Sequence, residues 1–182
     1  MAGIVAFYEV DIKKIIALST LSQLGLMVFT LGLGAKMLCY YHLLVHALFK
    51  ALLFLCAGCF IHGSFDNQDR RLLGSLGTGF SFSSIGFGWC NLSLMGGPFI
   101  SGFYRKDIIL EMSISYNYGF FLVIGFFFSI FLTSCYAVRS IFLSLLNFYM
   151  GGVKLFFYED TKMVVGMLFL LWGAGINGAF IS

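Results

Sequence analysis

Residues 42–50 read HLLVHALFK, so His42, His46 and Lys50 recur at every fourth position within an apolar run. On a helix such positions share one face within about 80° of arc and climb roughly 6 Å per step. Imidazole titrates near neutrality and both donates and accepts protons. An ammonium in apolar surroundings answers a neighbouring charge by changing its protonation state. Together the three side chains make a ladder able to relay protons. The bland alternative is two hydrogen-bonded packing histidines and a lysine locked in a structural ion pair.

A second set of ionisable groups lies in GGPFISGFYRKDIILE, residues 96–111, which carries Lys106, Asp107 and Glu111. Gly96, Gly97 and Pro98 read as a helix break, with proline, the single one in the chain, at the first position of the restarted helix. A discontinuous helix at membrane depth is tolerated where it packs on protein or lines a wet cavity. That reading places Lys106, with Asp107 and Glu111 on one shared face, along such a cavity; the alternative is a solvated surface cluster. Ser19, Thr20, Ser22 and Gln23 in STLSQ are either interhelical hydrogen-bonding groups or the lining of a water path.

The elements that must position these groups are membrane helices. Of the 182 residues, 60% are hydrophobic and 10% charged, against about 45–50% and 25% in soluble domains. So little charge cannot cover a soluble surface, and lipid is the expected solvent. Six segments approach a span, near 11–34, 36–63, 75–95, 96–111, 118–146 and 163–181. The fold class is therefore all-α membrane protein, with about six transmembrane segments including one discontinuous helix. Lys50 falls near the middle of the second segment. Its charge costs about 2.5–3.5 kcal/mol at the bilayer centre, and both helix ends are too far for snorkelling. Arg139, in the fifth segment, also requires a partner.

The SFDNQDRR stretch at 64–71 reads as a polar loop. Lys13, Lys14, Arg70 and Arg71 then fall on one side and Lys36 on the other, which puts the first side on the cytoplasmic or matrix face. The opening MAGIVAFYEVDIKK has no basic region ahead of an apolar core, so it does not read as a signal or transit peptide. A net charge of +3 is small and scattered, which argues against nucleic acid as a partner. Cys56 and Cys59 with His62 share a helical face, but no second ligand pair stands nearby. They read as packing cysteines, with no metal site.

Three blocks, DIKKIIALSTLSQLGLM, HLLVHALFKALLFLCAGCFIHGSFDNQDRRLLG and ISGFYRKDIILE, closely resemble the chain 5 family of mitochondrial NADH–ubiquinone oxidoreductase. That family is the distal antiporter-like subunit of respiratory complex I. The resemblance runs from about residue 9 to 111 and implies two inverted five-helix repeats joined by a charged axis at mid-membrane depth. It matches His42, His46 and Lys50 to that axis and Lys106 to the lysine of the second repeat's broken helix. Members are several times longer, so residues 1–182 are expected to be a single transmembrane domain, the second repeat with the helices after it. The first repeat and a lateral helix would then lie outside it.

The resemblance further implies a multi-pass protein of the mitochondrial inner membrane that translocates protons as part of NADH:ubiquinone reductase. No cofactor or redox site is expected in this chain; NAD, FMN and iron–sulfur clusters would belong to partner subunits. The implied partners are the other membrane-arm subunits, among them a chain supplying the first repeat and a chain 4-type antiporter-like neighbour, together with phospholipid. Two alternatives stay open: a subunit of a multisubunit sodium/proton antiporter, and a structural membrane-arm piece.

Overall fold

The computed structural model describes residues 1–64, 66–71, 79–97, 100–115, 120–146 and 161–179. Within them the helices are α1 (Ala2–Tyr8), α2 (Ile12–Gly32), α3 (Lys36–Gly63), α4 (Ser81–Met95), α5 (Ser101–Ser115), α6 (Phe120–Ile141) and α7 (Thr161–Ala179). A π-helical turn, Phe142–Leu146, continues α6. The short α1 is absent from the sequence-based expectation, whose first segment begins near residue 11.

Helices α2, α3 and the 123–145 stretch are long and apolar enough to cross a membrane, and 161–174 is a shorter apolar helix. At 15 residues each, α4 and α5 rise about 22 Å, under the roughly 30 Å of a hydrocarbon core. Neither spans alone.

Helix α3 is the hub and packs against α2, α4 and α7, while α6 closes the bundle through α4 and α1. Its composition explains the position. In the most apolar window 61% of α3 is buried, against 39% for α2 and 28% for α6. Val45, Phe49, Leu52, Leu53, Cys56 and Phe60 form one side of the core, facing Phe80, Phe87 and Cys90 from α4 and its approach. The outward faces of α2 and α6 carry Val28, Phe127, Phe128 and Phe131 exposed, the pattern of helices whose solvent is lipid. Cys56 and Cys59 contact the Sδ atoms of Met167 and Met163 on α7 at 3.8 and 3.3 Å, and His62 is exposed. Among the described residues no group of three His, Cys, Asp or Glu side chains could hold a metal ion.

Helices α2 and α4 end by the same device. Gly34 has φ +80°, and the N–H groups of Gly34 and Ala35 reach back to Leu31 and Thr30 at 2.9 and 3.2 Å. Gly96 has φ +85°, and Gly96 and Gly97 reach back to Ser93 and Leu92 at 3.2 and 2.9 Å. Both are Schellman closures, which need the left-handed conformation that glycine adopts without strain. Gly96 and Gly97 thus make the break the sequence reading expects. Pro98 lies outside the described residues, and α5 starts at Ser101 rather than at the proline.

At the break α5 presses tightly on α4. A Cβ on Gly102 would stand 1.9 Å from the Ser93 carbonyl oxygen, whereas one on Gly125 would meet nothing within 4 Å. Gly102→Ala is therefore expected to destabilise the fold by about 1–3 kcal/mol through overpacking. Gly125→Ala should stay within about 0.5 kcal/mol. Thermal denaturation of the two variants in lipid nanodiscs checks the contrast.

Candidate functional site

Lys50 is 5% exposed. Its Nζ donates to the Ser19 hydroxyl and to the Ile16 carbonyl of α2, the latter at 3.5 Å. Ser19 in turn donates to the same Ile16 carbonyl at 2.8 Å, so one turn of α2 supplies both acceptors. Among the described residues the ion pair is Lys14–Asp11, on the exposed start of α2; Lys50 has no carboxylate partner there. Among the described residues, a hydroxyl and a carbonyl rather than an ion pair hold it.

Lys106 is 8% exposed. Its Nζ donates to the carbonyls of Leu94 and Met95 at 2.6 and 3.1 Å and to Thr133 Oγ1 of α6 at 3.2 Å. The Schellman closure of α4 engages Leu92 and Ser93 and leaves these two carbonyls over. Lys106 therefore caps a helix terminus that the break has placed inside the protein. The cation also meets the end of α4 where the helix dipole carries about half a negative charge.

His42 and His46 are buried on α3, their rings 6.3 Å apart at 75°. They line a cavity of about 10 Å³ together with Gln23, Ser93, Gly102 and Lys106, near the lower limit for a single water. Ser93 Oγ bonds to no protein group among the described residues, so this wall offers a polar atom to a water. Four helices, α2, α3, α4 and α5, converge here at the break.

A second cavity, of about 20 Å³, lies toward the loop that follows α3. It is lined by Ser19, Asn91, Tyr136, Ser140, Ser144 and Arg70 among apolar neighbours. Leu94 borders both cavities. Asn91 and Ser140 bond to each other at 3.2 Å across the α4–α6 seam, and Ser144, in the π-helical turn, donates to the Ser140 carbonyl at 2.6 Å.

Of the STLSQ group, Ser19 and Gln23 reach this interior. Thr20 and Ser22 donate to the carbonyls of Ala17 and Ser19 of their own helix, one position off the buried face. Asp107 and Glu111 do share a side of α5, but not that of Lys106. One and five residues further on, they turn about 100° and 140° away, and they are half-exposed and exposed. The expectation that they line the cavity with Lys106 is therefore corrected.

Arg70, which the sequence places in a polar loop, is fully buried, while Arg71 is exposed. No sequence period signals this, because the side chain is drawn inward by a long-range pairing. Residues 66–71 lie along the α1–α2 linker through an Asp11–Asp69 bridge. Arg70 Nη2 donates to the Glu9 carbonyl at 2.7 Å. Burial, then Arg139 and Arg71, lower its pKa to about 10, so it stays charged at neutral pH. The partner of Arg139 is the Phe7 ring, 4.9 Å from its guanidinium carbon. Thr133, Ser93 and Asn91 were also missed, being single small polar residues in apolar runs.

Buried titratable groups on packed membrane helices, one helix broken at the level of a lysine, define an antiporter-like membrane protein. The chain belongs to the NADH:quinone oxidoreductase/Mrp antiporter transmembrane family, whose model matches residues 1–133. It is 48% identical over its whole length to NADH-ubiquinone oxidoreductase chain 5 of Anopheles quadrimaculatus, 44% to that of Locusta migratoria and 40% to that of Lumbricus terrestris. It spans about a third (32%) of the length of each of these relatives. Among solved structures, the membrane-bound sulfane sulfur reductase, an archaeal respiratory membrane complex, matches 97% of this chain and 30% of its own with a TM-score of 0.85 at 29% identity.

Ser19→Ala removes one of the two acceptors of the buried Lys50 ammonium. It should destabilise the protein by about 1–3 kcal/mol, while Thr20→Ala, whose hydroxyl serves its own helix, should change stability by less than about 0.5 kcal/mol. Thermal unfolding in nanodiscs separates the two.

Proposed function

We propose that this chain is a proton-translocating part of a redox-driven respiratory membrane complex of the NADH:ubiquinone reductase type. Lys50, His42, His46 and Lys106 are the groups that exchange protons, through waters held by Ser19, Gln23 and Ser93. The observation that carries the reading is the shared cavity: two imidazoles and the Lys106 ammonium, from α3 and α5, face one water-sized space. Lys50, bound by a hydroxyl and a carbonyl, can give up or regain its proton without a counter-ion among the described residues having to move. A transient charge on one group is felt by the next across a few ångströms of weakly screening interior.

In this reading the chain forms one transmembrane domain, the second half of an inverted repeat, and works docked against a stretch supplying the first half. The relatives carrying the chain 5 name favour membrane-arm subunits as partners, an antiporter-like neighbour among them, in the mitochondrial inner membrane with phospholipid around it. NAD, FMN and iron–sulfur chemistry would sit in partner chains, leaving none here. The family description also names Mrp antiporters, which keeps a sodium/proton antiporter subunit as the second reading.

Lys106→Met, tested in the assembled complex reconstituted in vesicles, should lower the number of protons moved per NADH oxidised. Lys106→Arg should restore the helix cap but not the stoichiometry, since guanidinium does not release its proton near neutral pH. An unchanged ratio in both variants would sink the relay assignment. Proton movement driven by a sodium gradient, with no electron donor present, would favour the antiporter reading instead.

A further inference from the structure

The relay accounts for the His42–His46–Lys106 cavity but not for the second one, nor for the charge at its end. Arg70 is 1% exposed and lines that cavity. Its Nε and Nη1 are buried and donate to no protein group among the described residues. A buried guanidinium keeps its charge, and buried donors of a charged group require acceptors. The wall supplies hydroxyl oxygens from Ser19, Tyr136, Ser140 and Ser144, and the space, about 20 Å³, holds roughly one water. Ser19 is also the residue that accepts from Lys50. The cavity therefore links a cation that can release its proton to one that cannot.

We propose that Arg70 is a fixed-charge plug: it holds a bound water between its guanidinium and the Ser19 hydroxyl and bars protons from reaching Lys50 through the loop-side end of the bundle. A permanent positive charge in a narrow polar passage raises the energy of a passing proton, as in pores that exclude protons electrostatically. Neighbouring charges act mostly in the same sense. Arg71 and Arg139 add to the positive potential at Arg70, and Asp69 opposes it. The plug is anchored outside the path, with its backbone N–H on the Val10 carbonyl at 3.4 Å and Nη2 on the Glu9 carbonyl. It stays in place whatever Lys50 does.

The inference rests on the relay reading of Lys50, and its test keeps the two apart. In the assembled complex in vesicles, Arg70→Gln should raise passive proton conductance, measured with no electron donor. The rise should be at least about tenfold, since one unit charge acting on another a few ångströms away through an effective dielectric near 20 is worth more than a factor of ten. Arg70→Lys, which keeps a positive charge, should restore tightness. Adding Lys50→Met to Arg70→Gln should abolish the leak. An Arg70→Gln complex as tight as wild type, or a leak that survives Lys50→Met, overturns the plug while leaving the relay standing. Lys50→Met alone with full proton stoichiometry overturns the relay instead. If Arg70→Gln fails to assemble, electron cryo-microscopy of the wild-type complex decides. Water density within hydrogen-bonding distance of both Arg70 and Ser19 supports the plug, and a dry cavity refutes it.

Discussion

An ammonium inside apolar packing must be solvated by something, and in this bundle neutral oxygens take a large part. Lys50 takes a serine hydroxyl and a carbonyl of α2; Lys106 takes two carbonyls of α4 and a threonine hydroxyl of α6. Much else follows from that requirement. Helix α2 must present Ser19 at the height of Lys50, α4 must stop where Lys106 can meet its carbonyls, and α6 must bring a hydroxyl to the same point. Dipolar partners stabilise each charge without fixing it.

The two Schellman closures show how depth changes the meaning of a local motif. At Gly34 the chain turns in the short link between α2 and α3, where the remaining carbonyls are close to the end of the bundle. At Gly96 the same turn falls beside the buried cavity, so its unused carbonyls need a donor from within the protein. The close approach of Gly102 to the Ser93 carbonyl brings α5 near enough for Lys106 to be that donor. Break, glycine and lysine form one mechanical unit.

Much of this was legible in the sequence because it follows from period and composition. The fourfold spacing of His42, His46 and Lys50 put them on the buried face of α3, and apolar length marked α2, α3 and α6. Gly96 and Gly97 announced the end of α4. What stayed hidden depends on contacts distant in sequence. Arg70 sits in a stretch as polar as any exposed loop, and its burial results from pairing with residues 60 positions earlier. The helix break points to a cavity beside this segment but not to which face of α5 meets it, and Asp107, one residue from Lys106, lies about 100° around the helix. Thr133 and Asn91 carry no periodic signal.

The cap on α4 has an electrical consequence. A lysine amine that has given up its proton still carries two hydrogens, enough to serve both the Leu94 and Met95 oxygens. On the proposed relay reading, loss of that proton alters the field across the bundle while both of these hydrogen bonds keep a donor. On that reading charge and geometry are decoupled where α4 gives way to α5, and voltage changes there without hinge motion.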